Sequence, residues 1–179
     1  EVREEVTAIK NDLGYTPIQF CSREGLFENP TIAAHCVWID SEDSNILAEH
    51  SVGVSHNPIS NMILASGICP VTELRGLGVD VGIGIDGAGS NDSQDMLESM
   101  KMTPLLQRVK RLQATALSAR DAFKMSTIEG AKALGVDKEL GSLEVGKKAD
   151  FVILDGNSPV LANIHDPFQT IVYCVGKKE

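Results

Sequence analysis

Residues 79–92, VDVGIGIDGAGSND, constrain the fold more than any other stretch. Val79, Val81, Ile83 and Ile85 alternate with small or polar residues, and β-branched residues at period two predict a strand. That strand runs into Asp86 and then a loop of small residues through Asp92. An acid placed where an apolar strand ends is rigidly held, yet faces the mouth of a fold. Asp86 also suits the N-cap of a helix starting near Ser93, and both readings stay open on this stretch alone.

The same pattern occurs twice upstream. Residues 31–37 predict a buried strand with His35 at its end, and residues 51–56 a strand ending in His56. Helices are predicted between them over 41–50, with Ile46 and Leu47 inward, and over 70–76. Strands that alternate with helices imply a parallel α/β sheet with crossover connections, closed as a barrel or left open. The carboxyl ends of such strands share one face, so His35, His56 and Asp86 are expected to converge there.

Val2, Val6, Ile9 and Leu13 at helical spacing predict an opening helix that ends at Gly14. Thr16-Pro17 is an N-cap with a favoured first-turn proline, opening a second helix toward Gly25. Residues 95–111 carry an apolar helical stripe interrupted by Pro104, which predicts a kink or a restart. Its methionines read as core packing. Helices follow over 118–125 and 127–134. Beyond Gly141 the period changes: residues 142–145, 150–154 and 170–175 predict short strands of a small β module, with the domain boundary near Leu140.

Composition narrows the partners. A chain of 179 residues with 42% hydrophobic and 23% charged content can bury a core, and its apolar runs fall short of a bilayer span. The net charge of −9 argues against nucleic acid and anionic membranes, leaving a small-molecule or protein partner. Cys21, Cys36, Cys69 and Cys174 are scattered without a C-x-x-C pair, which suits buried thiols in a reducing, cytoplasmic setting.

Glu1, His35, His56 and Asp86 are the constellation to weigh. His and Asp at strand ends suit zinc or iron(II), and a carboxylate or imidazole beside the metal can carry protons. The plainer reading makes each His an ordinary core or cap residue; His56, followed by Asn57-Pro58-Ile59-Ser60-Asn61, also suits the ordering of a turn.

In combination, AAHCVWID, SHNPISNMILASGICP, VGIGIDGAGSND and GSLEVGKKADFVILDG resemble the metal-dependent amidohydrolase superfamily over essentially the whole chain. The branch it resembles is the cytosine/guanine deaminase and triazine (chloro)hydrolase group, with the adenosine-type, S-adenosylhomocysteine and 8-oxoguanine deaminases. The resemblance implies a (β/α)8 barrel with a small β-sandwich. Residues 1–140 would supply barrel strands six to eight with their helices, and 141–179 the C-terminal share of the sandwich. It implies a hydrolase of C–N bonds other than peptide bonds, deaminating an aminated purine, pyrimidine or triazine by metal-activated water, with zinc, or else iron, as the divalent metal. It also implies soluble relatives that often form homo-oligomers.

By the same resemblance Asp86 is a metal ligand and takes a proton from water, His35 orients the attacking water and polarises the substrate, and Glu1 protonates the leaving side of the ring. Ser90 and Asn91 fall in the loop after the metal-binding aspartate, and His56, Asn57 and Asn61 in the turn bordering the substrate. The H-x-H pair of strand one and the His expected before Glu1 are absent, and Trp38 stands where many relatives carry a second His. The chain is therefore expected to be the C-terminal portion of a longer protein. Two other readings remain: an incomplete, non-catalytic relative that needs a complementing N-terminal part, and a flavodoxin-like sheet whose Gly87–Ser90 loop cradles an anion, although that loop lacks a basic residue.

Overall fold

A computed structural model describes residues 1–162 and 164–176. Three short strands form its centre: β1 (Ile32–Ala34), β2 (Gly53–His56) and β3 (Val81–Ile83). They pair in parallel in the order β1-β2-β3, with Ala33 opposite Val54 and Ser55 opposite Gly82. The connections are helical, as parallel pairing requires. Helix α3 (Ser41–Glu49) returns β1 to β2, and α4 (Pro58–Ile63) with α5 (Val71–Gly76) returns β2 to β3. Asp40 starts α3 by accepting from the Asp43 N–H, while Asp43 Oδ2 accepts from the Asp40 N–H, a reciprocal cap.

Leu47, Val54, Cys69, Val71, Leu74 and Val81 fill the core around the sheet and are all but inaccessible to solvent. On the far side lie α6 (Met96–Arg111), α7 (Ala119–Met125) and α8 (Ile128–Ala133), with Ala122 and Met125 fully buried. Helix α8 rides so close to the sheet that a Cβ on Gly53 would stand 2.2 Å from the Ala133 carbonyl oxygen. Only glycine fits there.

The opening helix is α1 (Arg3–Leu13), and α2 (Pro17–Arg23) follows with Thr16 accepting from the Gln19 N–H. Pro104 does not restart α6, which runs unbroken over Met96–Arg111. The helix runs through because Ser99, Met100, Thr103, Pro104 and Gln107 are all buried along one face, and packing outweighs the lost N–H donor. Asp95, through its acceptance from the Leu97 N–H, caps α6. Asp86 is thus free of the capping duty considered above.

The C-terminal expectation needs correction. Residues 170–175, read as a strand, lie mostly in the helix α9 (Pro167–Tyr173). Asp166 caps it by accepting from the Phe168 and Gln169 N–H groups, and Pro167 takes the first-turn position. Phe168, Ile171, Val172 and Val175 fall at helical spacing and pack on the core, a period hidden by the β-branched composition. Residues 142–145 and 150–154 form no strand among the described residues; extended segments without a partner strand do not make a ladder. The expected sandwich over 141–179 is therefore not seen, and Asn163 and residues 177–179 of that range lie outside the described residues. Among the described residues no helix is long and apolar enough to cross a membrane.

Candidate active site

The strands deliver their polar residues to one edge through strained exits. His35 and Cys36 directly follow β1 with φ of 66° and 45°, and Asp86 follows β3 with φ of 61°. Left-handed backbone at non-glycine residues costs energy and persists where packing over-determines it. Here it is held by the sheet itself: the His35 N–H donates to the Ser55 carbonyl at 2.9 Å, and the Gly84 N–H to the His56 carbonyl at 2.8 Å. The turn swings both side chains toward the same space.

His35 Nε2 lies 3.6 Å from Glu1 Oε2 and 3.8 Å from Asp86 Oδ2. Its other nitrogen, Nδ1, is 2.8 Å from Asn61 Oδ1. An amide oxygen only accepts, so Nδ1 carries the hydrogen and, in the neutral ring, Nε2 turns a lone pair toward the two carboxylates. Three electron-rich atoms thus meet with no donor between them among the described residues, which suits a cation or a proton in transit. Each carboxylate is anchored from outside. Asp86 Oδ2 accepts from the Ser60 hydroxyl at 2.6 Å and the Ser90 hydroxyl at 3.0 Å, and Oδ1 from the Gly87 N–H at 2.8 Å. The Ser60 hydroxyl, with Gly87 and Ser90 behind it, holds the Asp86 carboxyl below the usual carboxylate range. Glu1 Oε1 accepts from the Ser66 hydroxyl at 2.5 Å.

Glu1, His35, Asp86, Asn61 and Ser90 are therefore brought together. Asn91 braces the loop behind Asp86 by donating its amide to the Ile85 carbonyl at 2.7 Å. Asn57 is buried and accepts from the Ser55 hydroxyl at 3.0 Å, close against Gly84. His56 is fully buried, and neither ring nitrogen has a hydrogen-bond partner among the described residues; the same holds for Asn61 Nδ2. Burial first, then the charges of Lys110 and His35, lower the His56 pKa to about 3, so the ring is neutral. Ser60 and Ser66 were not among the sequence candidates, because a serine in a turn carries no signal of which carboxylate it will meet.

Among the described residues no group of three or more His, Cys, Asp and Glu is arranged to hold a metal ion. Asp86, ionised and open on one side, and His35 at its flank have the donor chemistry of a share of such a set. The thiols take no part: the four cysteines are unpaired, and burial pushes the Cys36 thiol up to about 12.

The amidohydrolase family model matches residues 1–176. The chain belongs to the amidohydrolase family. This amidohydrolase chain is 45% identical over all its 179 residues to a 5-methylthioadenosine/S-adenosylhomocysteine deaminase from Desulforudis audaxviator, covering 42% of that protein. It is 43% identical over 97% of its length to a 5'-deoxyadenosine deaminase from Methanopyrus kandleri, covering 40% of it. Among solved structures, a zinc-bound adenosine deaminase from Xanthomonas campestris superposes with a TM-score of 0.94 at 34% identity, over 98% of this chain and 40% of that one. The chain thus spans about 40% of the length of the relatives it matches.

Proposed function

We propose that this amidohydrolase acts as a hydrolytic deaminase of an aminated purine carried on an adenosine-like nucleoside. The observation that carries the reading is the convergence of His35 Nε2 with Glu1 Oε2 and Asp86 Oδ2 at 3.6 and 3.8 Å, at the carboxyl ends of parallel strands. The similarity to proteins named as methylthioadenosine/S-adenosylhomocysteine and deoxyadenosine deaminases supports the substrate class, and the zinc-bound neighbour supports a divalent metal, zinc before iron. A cytoplasmic setting and a homo-oligomer belong to the same reading.

Asp86 would hold the metal, with His35 beside it and further ligands from outside the described residues. A divalent ion held there would supply the Lewis acidity that makes water acidic enough to attack at neutral pH. Asp86 collects the proton that the attacking water gives up. His35, oriented by Asn61, accepts a hydrogen bond from the attacking water at Nε2 and so aims it at the ring carbon. Glu1 delivers a proton to a ring nitrogen, and the water proton held by Asp86 passes to the exocyclic amine, so that the C–N bond breaks and ammonia leaves while Glu1 takes back the hydroxyl proton of the tetrahedral centre. Two carboxylates in different surroundings, one held by three donors and one by a single hydroxyl, suit opposite proton roles. His56, Asn57, Asn61 and Ser90 border the substrate in this reading. Residues 1–140 serve as the barrel portion with strands six to eight.

The test is metal content by elemental analysis together with ammonia release from 5'-methylthioadenosine, S-adenosylhomocysteine and 5'-deoxyadenosine. The expected outcome is about one zinc or iron per active site and turnover of at least one of these nucleosides. Asp86→Asn is expected to lose most of the metal and roughly a thousandfold in kcat. Normal metal content and turnover in that variant would overturn the assignment.

A further inference from the structure

Glu1 sits at the start of α1, a helix with no buried residue of its own, and something else must hold its carboxylate still. The loop after α4 does so. Ser66 is 97% buried, and its hydroxyl donates to Glu1 Oε1 at 2.5 Å. The backbone carbonyl of the same residue accepts from the Trp38 indole N–H at 2.8 Å. Trp38 stands just beyond the β1 exit, three residues after His35, and the Arg3 guanidinium lies 5.5 Å above its ring. The ring thus holds the loop on one side and α1 on the other. Gly67 completes the fit: its φ is +123°, and a Cβ there would come within 2.7 Å of Val37 and 3.7 Å of the indole. The loop can pass between Val37 and Trp38 only as glycine.

We propose that Ser66 and Trp38 are positioning residues for Glu1, with Trp38 fixing the Ser66 backbone and the Ser66 hydroxyl tethering Oε1 so that Oε2 alone faces His35. The proposal rests on the reading of Glu1 as proton donor. Tethering one oxygen removes rotation of the carboxylate, and a proton is delivered efficiently only from a fixed orientation. Trp38, the chain's single tryptophan, therefore acts through Ser66 rather than on substrate.

The test is steady-state kinetics of the metal-loaded active protein carrying Ser66→Ala, Ser66→Thr, Trp38→Phe, Glu1→Gln and the double variant Ser66→Ala/Glu1→Gln, with indole emission recorded for those that keep Trp38. Ser66→Ala is expected to lower kcat roughly tenfold with KM within about twofold, and Ser66→Thr to restore it to within about threefold. In the Glu1→Gln background, Ser66→Ala is expected to cost less than about twofold, because the hydroxyl then has no proton donor to orient. Trp38 emission should stay unchanged in Ser66→Ala, showing the loop still seated, and Trp38→Phe should lower kcat in the same direction. Wild-type kcat in Ser66→Ala beside an impaired Glu1→Gln overturns this proposal alone, as does a Ser66→Ala loss that persists undiminished in the double variant or a shifted emission maximum. Wild-type turnover in Glu1→Gln overturns the role of Glu1 and this proposal with it.

Discussion

His56 is the residue whose burial has the clearest consequence in solution. Its ring is wholly enclosed, unpartnered among the described residues, and titrates at about 3 against 6.5 in the unfolded chain. The unfolded state therefore binds the proton first, so the stabilisation from keeping the ring neutral is complete above pH 6.5 and is lost progressively as pH falls toward 3. At pH 5 the loss amounts to roughly 2 kcal/mol relative to neutral pH. Urea unfolding at pH 7 and pH 5 checks this: a His56→Phe variant, which cannot take up the proton, is expected to lose about 2 kcal/mol less than the wild type between the two. Asp86 and His35 show a different economy. Both occupy left-handed backbone just past a strand, a strain accepted where it aims a side chain at the site. Sequence patterning located these residues at strand ends. It could not reveal the positive φ, because neither His nor Asp is marked for it in the way glycine is.

At the scale of elements, the same backbone region appears where no site requires it. Leu112 ends α6 with φ of 50° and is almost entirely exposed. A glycine there would meet the C-terminal geometry without a Cβ penalty, so Leu112→Gly is expected to stabilise the protein by about 1 kcal/mol in thermal or urea unfolding. The opposite holds at Gly53, where added volume meets backbone rather than a yielding side chain. Gly53→Ala is expected to cost about 2 kcal/mol or more by pushing α8 off the sheet, visible as a lowered Tm. Most of the alternation over residues 31–86 was legible because β-branched runs marked the strands and polar-faced stretches marked α3 and α5; α4 was not, because Asn57-Pro58-Ile59-Ser60-Asn61 has the composition of a turn. Residues 170–175 were not, because T-I-V-Y-C-V has strand composition. The Asp166-Pro167 start and the core contacts of Phe168, Ile171 and Val172 made it a helix.

Across the whole molecule, the apolar surface is unevenly distributed. Leu143, Val145, Phe151, Val152 and Ile153 all expose more than half their surface within an eleven-residue span, and among the described residues the parallel sheet ends at β1 and β3 without a further strand. Parallel sheets are normally closed or covered, and contiguous exposed apolar stretches associate. The chain by itself is expected to bind a hydrophobic dye and to self-associate in sedimentation experiments. Phe151→Ser with Val152→Lys is expected to reduce both, leaving the Glu1–His35–Asp86 geometry untouched. Dye binding and association unchanged by the double variant would place the sticky surface elsewhere.

What the linear chain determined by itself was local and periodic: the order of strands and helices through residue 134 apart from α4, the Thr16 cap of α2, and the placing of His35, His56 and Asp86 at successive strand ends. Those follow from side-chain period and backbone preference, which act over a few residues. The tertiary structure alone decided which of these residues meet. It enclosed His56 and brought Ser60 and Ser66 onto carboxylates 26 and 65 residues away. Hydrogen bonds across such distances depend on how the sheet and its connections pack, and no short-range pattern records that.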